Sequence, residues 1–95
     1  MHERMFGIET EYAVTGSATN GQDPDRELLV NGMIEKARLR FASLPDFGGG
    51  LFLGNGSRFY GDCGHHPEMA TPECTNPWDV VRYVLAGERM LHGFA

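Results

Sequence analysis

Asn55-Gly56 lies between Leu51-Phe52-Leu53 and the run Ser57-Arg58-Phe59-Tyr60-Gly61-Asp62. An Asn-Gly pair between apolar stretches is the strongest short-range signal for a β-hairpin, because both residues tolerate the left-handed backbone that a tight turn needs. Residues 51–62 are therefore expected to form two antiparallel strands. A lone hairpin is marginal in water, so further elements must join it. Side chains alternate along a strand. Arg58, Tyr60 and Asp62 then share one face, with Ser57, Phe59 and Gly61 behind them.

Residues 5–14 read as another strand. Phe6, Ile8, Thr10 and Tyr12 fall on one face, and Gly7, Glu9, Glu11 and Ala13 on the other. Glutamate is a poor strand former, so two of them in this strand ask for a reason. Residues 15–24 have loop composition. Asp23 as cap and Pro24 at the first position predict a helix over about 24–43. Leu29, Met33 and Ala37 repeat at helical spacing, as do Val30 and Ile34, with Phe41 further on. Asn31-Gly32 weakens its middle. Residues 44–50 read as a linker, and 64–75 as irregular chain or a short strand. A last helix is expected over 76–92, capped by Asn76, with Pro77 at its first position and Asp79 where a capping box has its partner. Its apolar face is read as Trp78, Val81 and Leu85, widened by Val80, Val84 and Leu91, with Gly93 as the stop. The fold class is α+β: an antiparallel sheet with packing helices.

The chain has 95 residues, enough for one small core. It is therefore read as a single incomplete domain over 1–95. No apolar run approaches the ~18 residues of a membrane-spanning helix. The start, Met1-His2-Glu3-Arg4-Met5, has no apolar signal core. Eight basic residues against 13 acidic ones give a net charge of −5, with no Lys/Arg block, which argues against nucleic-acid binding. Neither nucleic acid nor membrane is an expected partner. Cys63 and Cys74 match no zinc or redox spacing and read as free thiols of a reducing cytoplasm.

The chemistry-bearing residues gather near strand ends: Glu9, Glu11, Asp62, His65, His66, Glu68 and Glu73. Magnesium takes oxygen ligands and is often held together with phosphates. Two glutamates on one strand face suit it, and Asp62 and Glu68 are near enough in sequence to join them. Zinc is disfavoured, since there is no H-E-x-x-H and His65 and His66 are adjacent. A solvated carboxylate is the plain alternative for any one of these side chains.

At the same residues a resemblance emerges. Met5-Phe6-Gly7-Ile8-Glu9-Thr10-Glu11-Tyr12 resembles the opening of the Pup ligase and Pup deamidase/depupylase family. Asn55-Gly56-Ser57-Arg58-Phe59-Tyr60-Gly61-Asp62 resembles that family's Asn-Gly-Ala-Arg-Leu-Tyr strand and following aspartate. His66-Pro67-Glu68-Met69-Ala70-Thr71-Pro72-Glu73-Cys74 resembles its His-Pro-Glu segment, and Ala86-Gly87-Glu88-Arg89 is similar to a family helix. The pieces occur in the family's order.

The resemblance implies the N-terminal part of a glutamine-synthetase-like catalytic domain, which holds ATP and magnesium over the concave face of an antiparallel sheet. It implies activation of a carboxylate by phosphorylation, followed by attack of an amine, or hydrolysis of an amide in the deamidase branch. Glu9, Glu11 and Glu68 would hold metal. Tyr60 and Glu73 would line the nucleotide site, and Arg58 would contact phosphate. Asp62 matches the aspartate that orients or deprotonates the attacking amine or water. The implied partners are a small protein or peptide carboxylate substrate and a complementary C-terminal ligase chain or region, so the assembly is expected to be hetero-oligomeric or completed by further polypeptide. The competing reading is a catalytically silent binding or regulatory module of the same fold.

Overall fold

The computed structural model describes residues 5–12, 25–46, 48–62, 64 and 66–94. Strand β1 is Glu9–Glu11, helix α1 is Arg26–Arg40, β2 is Ser43–Pro45, β3 is Leu51–Leu53, β4 is Arg58–Gly61, β5 is Pro67–Ala70 and α2 is Pro77–Phe94. The strands form one sheet in the order β1-β5-β4-β3-β2. Every neighbouring pair is antiparallel.

The β3–β4 hairpin closes through Gly54-Asn55-Gly56. Leu53 N–H donates to Ser57 O at 2.7 Å, and Gly56 N–H donates to Leu53 O at 2.9 Å. Gly56 carries the positive φ of 90°. The loop is thus a turn followed by a left-handed glycine rather than a bare two-residue Asn-Gly turn. Its exact form depends on register: Leu51 faces Phe59 and Phe52 faces Arg58.

One strand departs from the sequence reading. Residues 44–50 are not merely a linker, because β2 runs through Ser43–Pro45 and pairs with β3. Ser43 therefore leaves the expected 24–43 helix, which spans Arg26–Arg40 instead. Asp25 is its cap, and Asp25 Oδ1 accepts from Glu27 N at 2.9 Å. Asp23 and Pro24 lie outside the described residues, as do Ala13 and Val14 of the expected first strand and both Cys63 and His65. The helix passes through Asn31-Gly32 unbroken. The short strand allowed within 64–75 is β5, which sits between β1 and β4. Pro67 is its first residue, a strand position that tolerates proline.

Strand β1 is shorter than the expected 5–14 segment. Before it, Phe6 makes an isolated bridge with Cys74. Phe6 and Ile8 are exposed, so the apolar parity of this segment is only partly used. Tyr12 does pack against the core.

One face of the sheet carries Leu51, Phe59 and Met69, and both helices cover it. Val30, Met33 and Ala37 of α1 face inward at helical spacing. Phe59 and Ala37 are fully buried, and Leu91 of α2 joins them. Gly61 and Gly87 allow close contact: a Cβ there would lie 3.0 Å from Val30 Cγ1 and from Met69 Cγ, respectively.

Helix α2 is capped as its sequence dictates. Asp79 N–H donates to Asn76 Oδ1 at 3.0 Å, and Asn76 Nδ2 donates to Asp79 Oδ2 at 2.8 Å. Its buried face is only one side of the expected one. Val80, Gly87 and Leu91 point inward, whereas Trp78, Val81 and Leu85 are exposed. The two sets lie on adjacent sides of one broad apolar surface, and only the first meets the sheet. No described helix is long and apolar enough to cross a membrane.

Candidate active site

The sheet face away from the helices is built by register. Glu11 pairs with Glu68, and Glu68 pairs in turn with Tyr60. In the next row Glu9 pairs with Ala70, and Ala70 with Arg58. Directly opposed residues on paired strands share a face with Cβ atoms about 4.5–5.5 Å apart. The pleat therefore sets Glu9, Glu11, Glu68, Tyr60 and Arg58 on one face. The intervening Thr10, Met69 and Phe59 point to the other. Five residues expected near metal, nucleotide or phosphate are thus joined across three strands, although Glu9 and Glu68 are far apart in sequence.

Tyr60 is shaped by its acidic neighbours. Burial raises its pKa, the Glu68 and Glu9 charges raise it further, and Arg58 partly opposes them, leaving it at about 12. Its phenol stays protonated, with Glu68 directly opposite it on the paired strand. The Arg58 guanidinium lies over the Tyr60 ring, 4.0 Å from its centroid.

Asp62 follows β4 directly. Its Oδ1 accepts from Gly64 N at 2.8 Å and from His66 N at 2.9 Å. Asp62 N–H donates to His66 O at 3.0 Å, closing the loop. The His66 backbone donor, helped by Gly64 and outweighing desolvation, holds the Asp62 carboxyl below the usual range. Asp62 is therefore an anion able to accept a proton.

His66 links this aspartate to β1. Its Nδ1 is 3.0 Å from Glu11 Oε1 and 3.6 Å from Asp62 Oδ1. Its Nε2 lies 3.1 Å from Arg26 Nη1. A guanidinium can only donate, so Nε2 accepts and the ring proton sits on Nδ1, directed at Glu11. Ligating atoms of Glu11, Asp62 and His66 all lie within 4.8 Å of one another. With both His66 nitrogens engaged, the donors left for a hard divalent cation are the carboxylates of Glu11 and Asp62, with Glu68 and Glu9 on the adjoining face. In the sequence His66 is one of several polar residues near a strand end. Its role beside Glu11 depends on β1 pairing with β5, which residues 66–68 alone do not reveal.

Asp46 is a further residue the sequence reading passed over. Its Oδ1 accepts from Gly48 N at 2.8 Å and Gly50 N at 2.7 Å, while Oδ2 accepts from Arg58 Nε at 2.7 Å. Burial would raise this carboxyl's pKa, but the Arg58, Gly50 and Gly48 donors outweigh burial and lower it. An aspartate ahead of consecutive glycines is a turn signal that could have marked the loop. Glu73 is different: it lies beyond β5 on the exposed side of the 71–75 stretch, outside the Glu11–Glu68–Tyr60 row.

The family described as Pup-ligase protein matches residues 4–95. A Pup–protein ligase of Xylanimonas cellulosilytica is 43% identical over 95 residues, covering 98% of this chain and 19% of the relative. A crystal structure of the complex between the prokaryotic ubiquitin-like protein Pup and its ligase PafA superposes with a TM-score of 0.75 at 30% identity, covering 98% of this chain and 18% of that one. The chain thus spans less than a fifth of the length of either relative. With the family matched over nearly all of its residues, and the acidic sheet face in place, the chain belongs to the Pup-ligase family.

Proposed function

We propose that these residues form the acidic face of an ATP- and magnesium-dependent carboxylate–amine ligase of the Pup-ligase type. The observation that carries this reading is the Glu11–Glu68–Tyr60 row with anionic Asp62 beside it. Glu9, Glu11 and Glu68 would hold magnesium, with His66 orienting Glu11. Tyr60 and Arg58 would face the nucleotide. Glu73 lies outside the row, which removes the support for its expected nucleotide contact.

When bound, magnesium and ATP would supply the activation of a carboxylate by phosphoryl transfer. This chain's own contribution is positional and protolytic. Tyr60 remains a hydrogen-bond donor. Asp62 keeps one carboxylate edge on two backbone amides, which fixes its direction and keeps it ionised. It would take the proton from an attacking amine as the new C–N bond forms and the acyl C–O bond to the phosphate breaks, inorganic phosphate leaving. The proposed acyl substrate is the carboxylate of a small protein, in keeping with the Pup complex of the structural relative. Polypeptide outside these 95 residues, in the same chain or a separate one, completes the nucleotide site.

The test is ADP release by the complete polypeptide carrying this sequence, with magnesium, a Pup-like substrate and an acceptor amine. Asp62→Asn is expected to lower turnover by about 100-fold or more, as loss of a positioned base does. Turnover without magnesium, or turnover indifferent to Asp62, overturns the proposal.

A further inference from the structure

We propose that Asp46 is a positioning residue that locks Arg58 across the Tyr60 ring, so that the guanidinium meets the nucleotide's phosphates in a fixed orientation. This rests on the functional reading above and adds to it a residue outside the Glu, Tyr and Asp set.

The side chain of Asp46 is only 5% exposed, whereas that of Arg58 is 39% exposed. The buried partner therefore anchors and the half-exposed partner presents. The two carboxylate oxygens divide the work. Oδ1 takes the Gly48 and Gly50 amides and thereby fixes the loop; Oδ2 takes Arg58 Nε. With Nε occupied and Cζ held 4.0 Å from the Tyr60 ring centroid, the terminal amino groups are left to meet an oxyanion. Such a pre-set fork loses little entropy on binding phosphate. Gly50 makes the approach possible. A Cβ at Gly50 would stand 2.7 Å from Phe59 O and Tyr60 Cβ, and 2.8 Å from Asp46 Oδ2.

The division of oxygens allows a clean experiment. In Asp46→Asn, the amide oxygen can keep the two loop amides, while the amide nitrogen faces Arg58 Nε and cannot accept from it. The loop should stay and the clamp should open. In the complete polypeptide, D46N is expected to raise KM for MgATP about ten-fold, the scale of one charge-assisted hydrogen bond, while kcat moves by less than about three-fold. Arg58→Gln should raise KM at least as much, and the double variant no more than R58Q alone, because both act through one contact. By NMR, the Arg58 Nε–H of the unaltered protein should exchange slowly, and D46N should abolish that protection.

Fast exchange of Arg58 Nε–H in the unaltered protein overturns the clamp, whatever the variants do. Normal MgATP binding with D46N inside about two-fold of the parent KM, or additive effects in the double variant, overturns the role of Asp46 alone. An unaltered protein that binds no MgATP overturns instead the functional reading on which the inference rests.

Discussion

Tyr60 and Glu68 face each other across β4 and β5, and the Glu68 charge helps keep the Tyr60 phenol protonated. Burial and the surrounding negative charge push Tyr60 up to about 12 from an ordinary value near 10. The unfolded chain therefore loses this proton first, and stability falls as pH rises from ~10 toward that raised value. Phenolate absorbance, compared with Tyr60→Phe, should show one tyrosine titrating above the ordinary range. Removing the nearby cation in Arg58→Gln should push it higher still.

Asp46 gives the opposite dependence. Its donors hold the folded carboxyl below its unfolded value. The stability it contributes is complete above the unfolded pKa of ~3.9 and is lost as pH falls through the depressed folded value. Urea melts of the parent and D46N in acid should converge as pH drops, and separate again near neutrality.

Two glycines should respond in opposite directions. Nothing lies within 4 Å of a Cβ built at Gly32, in the exposed middle of α1. Gly32→Ala is expected to stabilise by about 0.5–1 kcal/mol through helix propensity. Gly50→Ala would drive its Cβ into backbone, and into the side chains that hold Arg58. Thermal melts should show G32A rising and G50A falling.

Adjacent valines on α2 separate the covered side from the open one. Val80 is 3% exposed and Val81 51% exposed. Val80→Ala should cost about 1.5–3 kcal/mol, through lost apolar burial and the cavity left behind. Val81→Ala should cost less than about 0.5 kcal/mol where the exposed side stays wet. Equal losses in denaturant melts of the complete polypeptide would mean that other chain covers Val81.

His66 is expected to set the geometry of Glu11. Replacing an orienting partner of a metal ligand typically weakens metal binding by about 10–100-fold. His66→Ala should show that loss in a magnesium titration. His66→Asn, whose amide can replace the Nδ1–H donor, should recover part of it.

Local signals in the sequence determined the local structure. Asn55-Gly56 determined a hairpin because its backbone demands are met within a few residues. Asn76, Pro77 and Asp79 determined the start of α2 because a cap satisfies amides one turn away. The residues of the acidic face were also legible one by one, from glutamates placed where strand propensity disfavours them and from the resemblance of their motifs.

Tertiary structure decided what those residues meet. Periodicity showed α2 to be apolar over a broad arc, and only packing on Met69 and its neighbours selected Val80, Gly87 and Leu91 over Trp78, Val81 and Leu85. Pro67–Ala70 became an inner strand because β1 and β4 pair with it on both sides, a long-range fact that four residues cannot encode. That pairing set Glu11, Glu68 and Tyr60 in one row and brought His66 to Glu11. The Asp46–Arg58 clamp likewise needs β2, β3 and β4 in register before two distant charges can meet. Caps and turns are satisfied by near neighbours and so are written in short stretches of sequence; an active face is a matter of register between strands, which exists only once the sheet has formed.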